Sequence, residues 1–140
     1  MSAAALNVTT VVPGGVLSPT NTRVLMAEFD YARPETVEAV LAELAEHGEQ
    51  AQLLGGGTDL LVQLKMERME GARVVSLTGV PELAGIDEPD GLKIGAMTRI
   101  RTIAQAPAVL ERYRALADAC ESFSTVPVML MATIGGNLCN

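Results

Sequence analysis

The chain has 140 residues, of which 49% are hydrophobic but only 3% aromatic, so one compact domain with an aliphatic core is expected. Its net charge of −7, from 17 acidic and 10 basic residues, argues against a nucleic-acid-binding protein, which needs a basic face. The apolar run at residues 126–132 is much shorter than the roughly 20 residues that cross a bilayer, so no membrane span is expected.

The cysteine content argues against a disulfide framework or a metal site. Cys120 and Cys139 form no CxxC pair, and the single histidine, His47, has no cysteine or histidine near it in the sequence. Reduced thiols are typical of a cytoplasmic protein, which is the expected location. Residues 1–25 contain no basic leader segment, and their composition predicts a partly disordered N-terminal extension before a domain at residues 26–140.

The first part of the domain has the pattern strand, helix, strand. Alternation at residues 29–31 predicts a short strand. Thr36 is a candidate N-cap and Gly48 a candidate stop for a helix whose apolar face has the spacing i, i+3, i+4, i+7: Val37, Val40, Leu41 and Leu44. The apolar residues 51–54 predict a second strand. A unit of this kind usually has two parallel strands.

Further strands are predicted in the middle of the chain. Residues 73–77 have β-like composition, and residues 85–87 and 92–95 flank a short Pro-Asp-Gly turn that is typical of a hairpin. The part of the chain after the hairpin is expected to be helical. Thr98 is a candidate cap for a helix that contains Ile100 and Ile103.

A second helix is expected to begin near Pro107, with Val109, Leu110, Tyr113 and Leu116 on its apolar face. The run at 126–132 is a further apolar element. In this run Met129 and Met131 have the spacing of one face of a strand, and core packing is the expected role of both.

Two glycine-containing segments stand out, each directly after an apolar run. The first glycine segment, residues 54–60, contains three consecutive glycines and leads into a helix-like pattern at Leu60, Leu61 and Leu64. Three glycines in a row are costly in conformational entropy, so the backbone there must approach something closely or adopt positive φ. Backbone amides around a phosphate would explain them, and a tight strand-to-helix turn would explain them equally well.

The second glycine segment, residues 133–137, again combines a hydroxyl, two glycines and an amide side chain. Neither segment is a Walker loop or a GxGxxG fingerprint. Two such segments in one short chain are better explained by one shared ligand with a diphosphate than by two unrelated turns.

Three stretches carry a family resemblance: FDYARPETVEAVLAELAEHG at residues 29–48, LLGGGTDLLVQLK at 53–65 and TIGGNLCN at 133–140. In this order and spacing they resemble the flavin adenine dinucleotide (FAD)-binding medium subunit of the molybdenum hydroxylases, the xanthine dehydrogenase and carbon monoxide dehydrogenase family. The resemblance covers residues 26–140. It implies an FAD-binding domain that is truncated at its C-terminus.

The resemblance implies an α+β fold, namely the p-cresol-methylhydroxylase-type FAD-binding fold, with an N-terminal β-α-β subdomain and the start of a second α/β subdomain. It implies FAD as the cofactor of this chain, and a molybdenum cofactor and two-iron, two-sulfur clusters on partner subunits. The partners implied are a large molybdopterin-binding subunit and a small iron–sulfur subunit in a hetero-oligomer. Carried over position by position, the FAD contacts implied are Leu54, Gly55, Gly56, Gly57, Thr58, Asp59, Leu60, Thr133, Ile134, Gly135, Gly136 and Asn137.

The implied function is that of an oxidoreductase subunit. Its FAD receives electrons from iron–sulfur clusters and passes them to an acceptor. No catalytic side chain is predicted, because the cofactor performs the redox chemistry. Two alternatives stay open: a stand-alone flavin reductase of the same fold, and a truncated, non-catalytic interaction module. Arg99 and Arg101 are assigned either to the surface or to a partner contact.

Overall fold

A computed structural model describes residue 25 and residues 28–66 and 72–140. The predicted extension at residues 1–25, apart from Leu25, lies outside the described residues. The described part has mixed helix and strand content, as expected. Within it, no helix is both long and apolar enough to cross a membrane.

A three-stranded parallel sheet forms the first half of the fold. Its strands are β1 (Phe29–Ala32), β2 (Ala51–Leu54) and β3 (Ala72–Ser76), and their order is β1-β3-β2. Helix α1 (Val37–His47) connects β1 to β2. The prediction of two parallel strands around this helix is confirmed, with the addition that β3 lies between them and pairs with both.

The central strand β3 buries an apolar side chain on each of its faces. Val74 packs with Leu64 of helix α2 (Leu60–Lys65), and Val75 packs with Val40 of α1. Successive side chains of a strand point to opposite faces, so Val74 and Val75 belong to two separate apolar clusters. One prediction for α1 is wrong: Leu41 is 57% exposed, because only a narrow stripe of this helix faces the sheet.

Helix α1 has the predicted termini. The Thr36 hydroxyl accepts a hydrogen bond from the Ala39 N–H at 3.2 Å, and Gly48 ends the helix with φ of 52°. Near the last turn, the Arg73 guanidinium donates to both oxygens of Glu43, at 2.9 and 3.2 Å. This hydrogen bond holds the pKa of the Glu43 carboxyl below its usual value, against the opposing effect of burial.

The second half of the fold is a helical cluster beside a small hairpin. The hairpin pairs β4 (Ile86–Asp87) with β5 (Lys93–Ile94), as predicted. The helices are α3 (Ile100–Ala104), α4 (Pro107–Arg112), α5 (Arg114–Ser122), α6 (Val126–Met129) and α7 (Ile134–Leu138). Ile100, Ile103 and Val109 are fully buried at the centre of this cluster.

Three predictions in this half need correction. Thr98 does not cap α3: its hydroxyl bonds the backbone of Gly85 instead, at 3.0 Å to the N–H and 2.9 Å to the carbonyl. The helix that begins at Pro107 is interrupted at Tyr113, where the backbone leaves helical geometry before α5 begins. The apolar run at 126–132 contains the short helix α6, so Met129 is buried while Met131 is 52% exposed.

Candidate functional site

The first glycine segment lies at the carboxyl edge of the parallel sheet. It leaves β2 after Leu54, beside the point where β3 ends and the chain turns through Leu77–Gly79. Ligands of open α/β sheets bind outside the carboxyl ends of the strands, so the location is chemically plausible. Gly57 has φ of 75°, which places it in the left-handed region that favours glycine.

The second glycine segment is helical. It forms the first turn of α7, with Thr133 as N-cap. The Thr133 hydroxyl accepts a long hydrogen bond of 3.4 Å from the Gly136 N–H. The N–H groups of Ile134 and Gly135 are already bonded to the carbonyls of Thr98 and Ala96.

The two glycine segments touch each other. A Cβ placed on Gly55 would lie 2.8 Å from the Thr133 hydroxyl oxygen. One placed on Gly56 would lie 2.8 Å from the Cα of Ala132 and closer still to the carbonyl oxygen of Met131. Real side chains do not pack at such distances, so the absence of a Cβ at Gly56 is a packing requirement of the fold itself.

The first glycine segment also presents unpaired donors. In residues 28–66 and 72–140, the backbone N–H groups of Gly56, Gly57, Thr58 and Asp59 donate no hydrogen bond to a protein acceptor. The three residues from Gly56 to Thr58 are half-buried, and Asp59 is exposed. Consecutive backbone N–H groups of this kind form a concave anion site. Asp59 precedes α2, but its side chain makes no capping hydrogen bond.

A groove of about 240 Å³ opens where the two segments meet. Three of the twelve predicted contacts line it, namely Gly55, Gly56 and Thr133. Its other walls come from the turn after β3, from the turns around the hairpin and from the residues that precede α3 and α7: Leu77, Thr78, Val80, Pro81, Ala84, Met97, Arg99 and Met131. The sequence places Arg99 either on the surface or at a partner contact, and no local pattern around it indicates a groove.

A hydrogen-bond network holds one rim of the groove. The Arg33 side chain donates to the hydroxyl of Thr78 at 3.2 Å and to its carbonyl at 3.3 Å. The Thr78 hydroxyl also lies 2.9 Å from that of the buried Ser76. Arg33 directly follows β1 and Ser76 ends β3, so this network ties the groove to the ends of two neighbouring strands.

Several predicted contacts lie away from the groove. Leu54 and Leu60 pack against the apolar cluster around Leu64, and Ile134 packs against the helical cluster. Their positions explain why these residues are apolar without any reference to a ligand. Asn137 is exposed on α7.

The cysteines have contrasting surroundings. Cys120 is buried in α5, where burial raises the pKa of its thiol, while Cys139 is exposed just after α7. Among the described side chains, no group of three or more histidine, cysteine, aspartate or glutamate residues is close enough to hold a metal ion.

Comparison with known protein families matches residues 27–140 to the FAD binding domain in molybdopterin dehydrogenase. The chain belongs to this family. Among curated relatives, it is 32% identical over 113 residues to the caffeine dehydrogenase subunit beta of Pseudomonas sp. (strain CBB1), covering 80% of this chain and 38% of the relative. It is 33% identical over 117 residues to the xanthine dehydrogenase FAD-binding subunit of Escherichia coli O157:H7, covering 80% and 40%.

Solved structures agree with this assignment. Carbon monoxide dehydrogenase from Hydrogenophaga pseudoflava contains a chain with a TM-score of 0.75 and 33% identity, and the match covers 79% of this chain and 39% of that one. Quinoline 2-oxidoreductase from Pseudomonas putida 86 gives a TM-score of 0.73 at 28% identity, with 79% and 39% covered. The chain spans about 40% of the length of the relatives and structures that it matches.

Proposed function

We propose that the two glycine segments bind the diphosphate of FAD. The observation that carries the proposal is the row of unpaired amides at the half-buried residues Gly56, Gly57 and Thr58. Gly56 lines the groove together with Thr133 of the second segment. Hydrogen bonds to an ionised acceptor are about twice as strong as neutral ones, so a diphosphate fits these donors. Membership of an FAD-binding family supports this choice of anion.

The groove is too small to enclose the whole dinucleotide. Its volume of about 240 Å³ lies below the roughly 300–1,000 Å³ of pockets that bury a drug-sized ligand. These residues therefore hold the diphosphate and its immediate neighbours, and they leave the flavin ring to be covered by other parts of the functional assembly. This arrangement is compatible with the p-cresol-methylhydroxylase-type layout, which remains part of the proposal.

The proposed role is that of the FAD-binding electron-transfer subunit of a molybdenum-containing dehydrogenase. FAD supplies the ability to accept an electron pair and pass it on. The residues of this chain bind and orient the cofactor, and the assignment includes no catalytic side chain. The relatives named as subunits or chains of dehydrogenases support a hetero-oligomer with a large molybdopterin-binding subunit and a small iron–sulfur subunit. Cytoplasmic location is also proposed, since both cysteines are free thiols.

The test is a titration of the purified protein with FAD, in which the quenching of flavin fluorescence reports binding. Riboflavin, which has the same ring without phosphates, is the matched control ligand. If the amides bind the diphosphate, FAD should bind at least about tenfold more tightly than riboflavin, and ADP should displace it. Equal affinity for FAD and riboflavin, or no binding of FAD, would contradict the proposal.

A further inference from the structure

An exposed, unpaired cation lies at the edge of the groove between the glycine segments. Arg99 is the charged residue among those that line it. In the part of the chain that the structure describes, its guanidinium takes part in none of the ion pairs and donates none of the side-chain hydrogen bonds. Other arginines of this chain do have partners, such as Arg73 with Glu43 and Arg114 with Asp118.

The backbone fixes Arg99 beside the second glycine segment. Arg99 and Thr133 form an isolated antiparallel bridge. On either side of it, the Ile100 N–H donates to the Ala132 carbonyl at 3.0 Å and the Ile134 N–H donates to the Thr98 carbonyl at 2.9 Å. These backbone contacts therefore hold Arg99 next to Thr133, which also lines the groove.

The positive charge of Arg99 matters because both the chain and the proposed ligand are negatively charged. The chain carries a net charge of −7, so its overall field repels a dinucleotide whose diphosphate is itself doubly negative. A guanidinium is always protonated and can donate two parallel hydrogen bonds to a phosphate group. An unpaired arginine in a groove otherwise lined by uncharged residues supplies the missing positive charge.

We infer that Arg99 binds the diphosphate of the dinucleotide, so that the anion lies between its guanidinium and the amides of the first glycine segment. This inference rests on the proposed function, because it names a side chain for the same anion. In this inference a positively charged side chain, Arg99, binds the anion. Without it, the anion would be bound by backbone amides alone. The competing role, an ion pair with a partner subunit, predicts no effect on cofactor affinity.

The experiment compares Arg99→Gln with Arg101→Gln. Arg101 lies two residues along the chain, is half-buried in α3 and does not line the groove, so its replacement removes the same charge from a neighbouring site. Dissociation constants for FAD, ADP and riboflavin are measured for the purified protein and both variants. Arg99→Gln should raise the dissociation constants of FAD and ADP by about 10- to 100-fold and leave that of riboflavin unchanged. Arg101→Gln should change each dissociation constant by less than about threefold.

The salt dependence gives a second readout. Added salt should lower the FAD affinity of the unsubstituted protein relative to that of Arg99→Gln, because the attraction that salt screens is absent from the variant. Arg99→Lys should recover part of the lost affinity. The inference is overturned if Arg99→Gln weakens FAD binding no more than Arg101→Gln does, or if it weakens riboflavin binding as much as FAD binding. If the unsubstituted protein does not prefer FAD to riboflavin, the proposed function fails as well.

Discussion

Replacing Gly56 with alanine is expected to destabilise the whole fold by about 3 kcal/mol or more, the upper end of the range for overpacking. The new Cβ would meet the backbone of Met131 and Ala132, which cannot rotate away as the end of a flexible side chain can. The first glycine segment would therefore have to move away from Met131 and Ala132, the residues directly before the second glycine segment. The free energy of unfolding, measured by urea denaturation, should show this loss, and failure of the variant to accumulate as folded protein would be the extreme form of it.

Gly136→Ala is the matched control for this prediction. It adds the same methyl group to the second glycine segment, where the nearest contact is the Thr133 hydroxyl oxygen at 3.1 Å. The change should alter the free energy of unfolding by less than about 1 kcal/mol, because alanine also favours the helical position that Gly136 occupies. A Gly56→Ala protein as stable as Gly136→Ala would show that Gly56 does not pack against the backbone of Met131 and Ala132. It follows that loss of FAD binding in a Gly56 variant alone is no proof of a phosphate contact.

Leu64→Ala is the second large effect expected. Leu64 is fully buried between α2 and β3, so the substitution should leave a cavity and cost about 2–5 kcal/mol of unfolding free energy. Because α2 follows the first glycine segment directly, the FAD affinity should fall together with stability. Urea denaturation and the FAD titration, performed on the same sample, would measure both.

Leu41→Ala removes the same atoms from an exposed site. Leu41 is 57% exposed on α1, so this change should cost no more than about 0.5 kcal/mol and leave FAD binding unaltered. Equal destabilisation by Leu64→Ala and Leu41→Ala would mean that α2 does not pack on β3 as described.

Local patterns predicted the first half of the fold well. The Thr36 cap, the Gly48 stop and the apolar run of β2 each depend on neighbouring residues, and the structure has all three. The insertion of β3 between β1 and β2 could not be predicted this way, since strand order depends on contacts between distant residues. Leu41 fitted the helical spacing but faces solvent. The spacing could not predict this, since it does not say how much of the helix surface the sheet covers.

The site was predictable in part. The glycine pattern identified both segments, and the structure brings them into contact. Sequence alone could not show that Gly56 faces the backbone of Met131, nor that Arg99 pairs with Thr133, because both are contacts between distant residues. Apolar positions inside the motifs, such as Leu54 and Ile134, are partly buried and pack against the core clusters.

The central claim is that backbone amides of the two glycine segments bind a diphosphate. Two-dimensional ¹H–¹⁵N NMR of the purified protein during a titration with ADP reports on those N–H groups individually. The account predicts that the largest shifts occur at Gly56, Gly57, Thr58 and Gly136, whose N–H groups are unpaired or weakly paired. Shifts concentrated elsewhere, with these four signals unmoved at saturation, would contradict it.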